Sequence, residues 1–393
     1  MKNKSWKVLN FICSLTIMGF LLLATGCKES DSGNNSDPTV NPPVATQPSG
    51  SGTLADPYII ANLDNLFWVT QNSAHWGKHF RQVANIDAAA ITNFSPIGNN
   101  PNFFLGSYDG GGYTIDHIKI SLPSTDYVGM FGFANSGSAI KNIKLTNVNI
   151  SGNLHVGGLV GEIYYGSVLN CSSTGTVSGT GDVGGLVGVN YHSSVTTGTS
   201  MASVTGQSYV GGLVGSNYFA TVSNSYSTGS VTGTVERIGG LVGFNSSSST
   251  VSGSYSTGNA TGGSRVGGLV GYNLATSVVI NSYSTGNATG TSYVGGLVGW
   301  DDNSTISKSY CVGSVSGTSF VGGLAGYNDN QVIASFWNTD VYSSPAVGGG
   351  TSMGITGKTT AELKQQATFT TWDFTATWKI SEGVSYPKLQ WQP

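Results

Sequence analysis

The chain of 393 residues predicts an all-β fold, a right-handed parallel β-helix (solenoid) of about eight coils of 27–28 residues each. Three observations carry that expectation. Glycine supplies 58 residues and charged residues only 9% of the chain, against usual shares of roughly 7% and roughly 25%. The element V-G-G-L-V-G returns at Val156, Val183, Val210, Ile238, Val266, Val294 and Val321, with one Ile and one Ala exchanged, at steps of 27 or 28 residues. No unit carries a helical period or the roughly 10–15 residues that a crossover helix needs. A degenerate copy, VGMFG, begins at Val128. The glycines do not recur every third residue, which excludes a collagen helix. Hydrophobic residues at 38% and aromatics at 10% are enough to bury a core. With 16 Lys+Arg and a net charge of −3, the chain has no basic footprint for nucleic acid.

Residues 1–26 form a secretion signal, with Lys2, Lys4 and Lys7 ahead of an apolar run from Val8 to Ala24. That run is short for a membrane span of roughly 20 residues and its basic flank precedes it. Leu23-Ala24-Thr25-Gly26-Cys27 resembles a bacterial lipobox, although Ala24 stands where lipoboxes usually carry Leu. The resemblance implies cleavage after Gly26, lipid on the Cys27 sulfur and an acyl group on its new amine. The membrane is then a partner through Cys27. Residues 27–52 make a tether rich in Ser, Asn, Pro and Gly, which cannot bury a core. Its opening, Lys28-Glu29-Ser30-Asp31, is similar to surface-export signals of bacterial lipoproteins.

Residues 53–127 read as an N-terminal cap and first coils. Pro57-Tyr58-Ile59-Ile60 predicts a strand, and Asn62 as N-cap before Leu63, Leu66, Phe67 and Val69 predicts a short helix. Residues 128–334 are the repeat. Each unit reads as three short strands separated by Gly, Ser, Thr and Asn turns. Residues 335–393 read as a C-terminal cap. There Thr359 and Glu362 have capping-box spacing, and Trp372, Phe374, Trp378, Tyr386, Leu389 and Trp391 supply a hydrophobic plug against the open end.

Three columns run through the repeat. Asn190, Asn217, Asn245, Asn273 and Asn328 follow the glycines at fixed offset, with Asp301 once in their place. Turned inward, this structural ladder can satisfy turn amides in the coils above and below. Tyr226, Tyr255, Tyr283 and Tyr310 form a second column, and Val177, Val204, Val231, Ala260, Ala288 and Val315 a third. Cys171 and Cys311 lie five units apart, about 24 Å at roughly 4.8 Å per coil. That spacing predicts two buried free thiols rather than a disulfide.

The repeated VGGLVG, with its S-Y-S-T-G and G-x-N elements, resembles the GLUG repeat of bacterial surface proteins. The resemblance extends to residues 52–60 and 106–115 before the repeat, and to Trp372-Asp373-Phe374, Trp378 and Tyr386-Pro387 after it. GLUG repeats occur in adhesin-like proteins and beside the catalytic domain of some immunoglobulin-cleaving metallopeptidases. The resemblance therefore implies a surface location, and together with the lipobox at Cys27 the expected location is the cell envelope, lipid-anchored and exposed at the outer membrane.

Little chemistry accompanies the repeat. His75, His79, His117, His155 and His192 include no HExxH, so the peptidase motif of longer relatives is missing. His75 and His79 are four apart, but Gly77 interrupts the helical pattern, and loop histidines are the simpler reading than a metal pair. No metal or cofactor is expected. In residues 145–328 the acids are Glu162, Asp182, Glu236, Asp301 and Asp302, and the bases Arg237, Arg265 and Lys308. Arg237 and Arg265 share one column beside Glu236, which reads as a stacked ionic pair. No acid–base constellation for polysaccharide cleavage assembles from these.

Binding fits better. The residues before the ladder Asn include Phe244, Tyr272, Trp300 and Tyr327. Strand alternation points them outward if the Asn points inward, as a stacked aromatic strip for a glycan or for a host or matrix protein. The other reading of these rings is packing, since the glycines can bend the strand. The expected function is non-catalytic adhesion or ligand binding, and the alternatives are a carbohydrate-active β-helix enzyme and a passive surface spacer.

Overall fold

The computed structural model describes residues 42–343 and 345–392. The expected secretion signal, residues 1–26, and the expected lipidation site Cys27 lie outside these residues. The glycine repeat folds as a parallel β-solenoid. An eleven-stranded sheet runs from Tyr58–Ile60 to Val332–Ile333, and an eight-stranded sheet from Phe131–Asn135 to Ala325–Asn328. The remaining coil strands join a 22-stranded sheet. Successive units pair in register, Val160 with Val187, Val187 with Val214, Val214 with Val242 and Val242 with Val270. Sequence columns are therefore spatial columns. The first three strands of the eleven-stranded sheet, up to Ser107–Asp109, precede the first glycine coil and extend the stack beyond the eight repeats.

Each coil turns at single residues in the left-handed region. In the coil 210–237 these are Phe219 (φ 50°), Asn224 (φ 47°) and Arg237 (φ 62°). The paired glycines serve a different need. A Cβ on Gly211 would collide with the carbonyl oxygen of Val214, and one on Gly212 with that of Gly240 in the next coil. The coils stack too closely there for any side chain.

Inside, each coil contributes aliphatic side chains such as Val210, Leu213, Val214, Val222 and Val231, all buried. Each stabilises by roughly 1.5–3 kcal/mol before entropy is counted. Asn190, Asn217, Asn245, Asn273, Asp301 and Asn328 are buried too. The Nδ2 of each Asn from 190 to 273 donates to the Oδ1 of the next ladder residue, at 2.7, 2.8, 2.8 and 2.6 Å. The same amides reach backbone carbonyls, as Asn217 does to Ala220 at 3.1 Å.

The turn amides themselves are satisfied by serines. Ser225, Ser254, Ser282 and Ser309 accept from the backbone N–H of Gly198, Ser225, Ser254 and Ser282 at 2.9–3.2 Å. The asparagine ladder, expected to satisfy turn amides, instead donates to side-chain and backbone carbonyls. Serine is small enough to sit inside the corner and accepts one coil away. Cys171 and Cys311 are unbridged and buried. Cys311 continues a second serine column through Ser200, Ser227, Ser256 and Ser284, pairing in register with Ser284, and burial pushes the Cys171 thiol up to about 12.

At the N-terminal end the helix Leu63–Gln71 starts at Asn62, whose side chain accepts from the Asn65 N–H at 2.9 Å. At the other end the capping-box spacing of Thr359 and Glu362 predicts a second short helix, and the structure has only the 3₁₀ turn Glu362–Lys364. Its capping box is complete, because Thr359 N–H donates to Glu362 Oε2 at 2.8 Å and Glu362 N–H to Thr359 Oγ1 at 3.3 Å. Gln365 then takes an extended backbone and the helix cannot continue.

The C-terminal aromatics do not simply plug the open end. They run back along the flank of the stack over Tyr226, Tyr255, Tyr283 and Tyr310, whose rings stack 4.9–5.0 Å apart. Trp372 Nε1 donates to the Ala334 carbonyl at 2.9 Å, Tyr310 OH to that of Pro387 at 2.6 Å, and Trp391 Nε1 to that of Gly253 at 3.1 Å. Leu363, Phe369, Trp372, Trp378 and Leu389 thereby bury with Tyr283, Tyr310 and Phe336 in a second apolar cluster.

Candidate functional site

Along a strand such as Val242–Ser246, Asn245 points into the core, so Phe244 and Ser246 stand on the outer face. The outer column before the ladder runs Phe133, Glu162, Val189, Ser216, Phe244, Tyr272, Trp300 and Tyr327, each paired with the next. A second column faces it. The residue before each glycine element is Tyr127, His155, Asp182, Tyr209, Arg237, Arg265, Tyr293 or Phe320, and every one has φ between 51° and 62°. This left-handed corner swings its side chain across the strand that follows the glycines.

The two columns close on each other. Arg237 lies 4.4 Å from the centre of the Tyr209 ring and 5.2 Å from that of Phe244. Arg265 lies 5.2 Å from Tyr272 and 4.8 Å from Trp300. Glu236 pairs with both guanidinium groups, with Arg237 at 2.9 Å and with Arg265. Tyr293 stacks between Trp300 at 4.6 Å and Phe320 at 4.7 Å. Tyr272 OH donates to Asp302 Oδ2 at 2.7 Å, and burial, with this carboxylate, drives the phenol well above its usual range.

The four rings expected as a strip therefore point outward without lying bare. Phe244 and Tyr272 are only 7% and 8% exposed, while Trp300 and Tyr327 are half-buried. Two guanidinium groups on a neighbouring corner cover the first pair. Alternation gives the side of the sheet a residue occupies, and the corner decides how much of it solvent sees. The surface offered to a ligand is a mixed one of Arg237, Arg265, Glu236 and the edges of Trp300 and Tyr327.

Toward the N-terminal coils the same stripe becomes polar. His155 Nδ1 meets Glu162 Oε2 at 2.6 Å, and its Nε2 lies 3.9 Å from Asp182 Oδ2. Ser216 donates to Asp182. Burial opposes the His155 imidazolium, but the hydrogen bond to Glu162 and the charges of Asp182, Glu162 and Asp126 outweigh it and the imidazole is shifted upward. Burial likewise raises Asp182. This grouping was not read from the sequence, because its members are spread from His155 to Ser216 over three coils. The signal was present as a fixed offset, since a bulky or charged residue precedes every glycine element.

His75 and His79 do not converge. His75 Nδ1 lies 2.9 Å from Tyr58 OH, and His79 Nδ1 2.8 Å from Ser107 Oγ. Among the described residues no three His, Cys, Asp or Glu side chains are grouped to hold a metal ion. No described helix is long and apolar enough to cross a membrane.

The GLUG motif matches residues 152–178, 206–232 and 262–289, so the chain carries GLUG repeats in three matched copies. Halomucin of Haloquadratum walsbyi is 39% identical over 140 residues, which is 33% of this chain and 2% of that protein. A protein of Evansella cellulosilytica named as a Gly-rich membrane protein is 34% identical over 126 residues, 29% of this chain and 14% of that protein. The chain thus corresponds to a small part of both relatives. Among solved structures, a Bacteroides ovatus protein named as an immunoglobulin A1 protease is similar at 21% identity and TM-score 0.49, covering 88% of this chain and 95% of that one.

Proposed function

We propose that this GLUG-repeat solenoid is a non-catalytic cell-surface protein, held to the membrane through lipid on Cys27, that binds ligand on the outer face of its eight-stranded sheet. The ligand is a glycan or a host or matrix protein. The observation that carries the reading is the stripe itself. Four coils line up Arg237, Arg265, Glu236, Trp300 and Tyr327 on one face, in a chain that is otherwise poor in charge. Arginine and large aromatics are the residues that anchor protein and ligand interfaces. An envelope location is supported by relatives named as a halomucin and a membrane protein.

The test is retention of the purified protein on a panel of polysaccharides and matrix proteins, with new reducing ends scored in parallel and Trp300→Ala as control. Retention without cleavage, weakened in the control, is the expected result, and absence of retention would leave a passive spacer. Incorporation of labelled palmitate into the wild type but not Cys27→Ala tests the anchor. A second reading, polysaccharide cleavage, draws on the approach of His155 to both Glu162 and Asp182. Against it, the Glu162 carboxylate is taken up by His155 and the Asp182 carboxylate by Ser216. New reducing ends in the same assay would establish this second reading.

A further inference from the structure

The opposite edge of the eight-stranded sheet carries a second aromatic group that the stripe does not use. In three successive coils the strand ends in an aromatic pair, Tyr164-Tyr165, Tyr191-His192 and Tyr218-Phe219. The coils that follow have Ser246-Ser247 and Leu274-Ala275 there, and the coil before has Asn135-Ser136. Tyr165, His192 and Phe219 occupy the left-handed corner, with φ of 52°, 48° and 50°. Their rings stack at 4.7 Å, tilted by 1° and 12°. Beside them Tyr164, Tyr191 and Tyr218 follow one another at 5.1 and 5.9 Å. Tyr165 is 50% exposed and Phe219 49%.

The molecule shows what it does with an aromatic column that serves only packing. The tyrosines at 226, 255, 283 and 310 are covered by Trp372, Trp378 and Trp391 of the same chain. Among the described residues nothing comparable covers the second group. None of its six positions holds a carboxylate, Lys or Arg, so it does not select a strongly charged ligand. Three coils at roughly 4.8 Å and two adjacent columns span on the order of 150 Å². A stable protein interface needs about 800 Å² on each partner. A sugar ring is of the right size. An uncharged pyranose has an apolar C–H face for a ring to lie against and a rim of hydroxyls, and tyrosine matches both with one apolar body and one polar tip.

We propose that Tyr164, Tyr165, Tyr191, His192, Tyr218 and Phe219 form a carbohydrate-binding platform for two or three residues of an uncharged glycan. The platform borders the stripe at Tyr218, whose ring lies 5.5 Å from that of Phe244 and whose side chain also meets Ser216, and it stands or fails separately from the stripe.

The test is saturation-transfer NMR of the full chain with uncharged trisaccharides of glucose, mannose, galactose and N-acetylglucosamine, and a uronate trisaccharide as the charged probe. Tyr165→Asn and Phe219→Asn are suitable variants, because asparagine tolerates this backbone and Asn303 already holds a positive φ of 47° on the same corner column, one coil beyond Ala275. The expected result is transfer to ring C–H protons of at least one uncharged probe. Affinity should fall about fivefold in either variant, the scale of one aromatic contact, and stay unchanged in Trp300→Ala. No transfer to any uncharged probe, binding of the uronate alone, or binding undiminished in the double variant would overturn the proposal. Binding lost only in Trp300→Ala would place the sugar on the stripe and overturn it as well.

Discussion

Two corners of one coil share a backbone conformation and fill it in opposite ways. After the eleven-stranded sheet the left-handed positions hold Asn142, Asn170, Thr197, Asn224, Gly253, Asn281, Lys308 and Ala334. Asn and Gly, which tolerate that region best, take five of these eight. Before the glycines, the left-handed positions hold Tyr127, His155, Asp182, Tyr209, Arg237, Arg265, Tyr293 and Phe320, with no Asn and no Gly. A non-glycine residue held there costs of order 1–3 kcal/mol. The first corner is filled for backbone ease. The second gives that up and recovers part of the cost through ring stacking and cation–π contacts of about 0.5–2 kcal/mol. Strain tolerated along one edge of the coil marks that edge as the one whose side chains matter.

The largest effect that sharpens this contrast lies inside the coil, where no corner can compensate. Asp301 accepts from Asn273, but its Oδ2 has no partner, and neither does Asn328 Oδ1 in the next coil. Burial, with Asp329 and Asp302 nearby, raises this carboxyl to about 7. Between about pH 4 and pH 7 the unfolded chain has lost this proton and the folded chain keeps it, so stability falls as pH rises through that window and levels off above it. Asp301→Asn restores an amide donor. It should raise stability at pH 8 by on the order of 4 kcal/mol and leave it unchanged at pH 4. Thermal melts at the two pH values check this, and equal gains at both would refute it.

Next in size, Asn224→Val places a β-branched residue at the easy corner and should cost about 1–3 kcal/mol in denaturant melts. Arg265→Ala removes the cover of Tyr272 and Trp300 and one partner of Glu236, and should cost about 1–2 kcal/mol. The smallest effect belongs to Tyr209→Asn, where relief of the backbone and loss of the contact with Phe244 and Arg237 should cancel to within about 1 kcal/mol. If Tyr209→Asn destabilised more than Asn224→Val, the two corners would not differ as described.

Much of this architecture is legible in the sequence, because a repeat converts spacing into stacking. The steps of 27 and 28 residues give the coil, and the fixed offsets of Asn217, Asn245 and Asn273 give the inner ladder. What is not legible depends on geometry that alternation does not encode. Phe244 and Tyr272 follow the alternation and are covered all the same, because Arg237 and Arg265 reach them from a corner seven residues earlier in the chain. The tyrosine column and its cover, Tyr226 against Trp391, are separated by most of the repeat, and no period links them. The serine ladder was hidden in plain view, since serine in a turn reads as a turn residue before it reads as an acceptor for the next coil.

On the proposed function, the strained corner before the glycines is kept for binding rather than for stability. The most direct test of this is retention of Arg237→Asn/Arg265→Asn on the polysaccharide and matrix panel, with thermal stability measured on the same sample. Retention should be lost, while relief of the backbone by asparagine at both corners offsets the lost contacts and keeps the stability loss no larger than that of Arg265→Ala. Retention kept while stability falls would contradict this reading, and would return the stripe to ordinary packing.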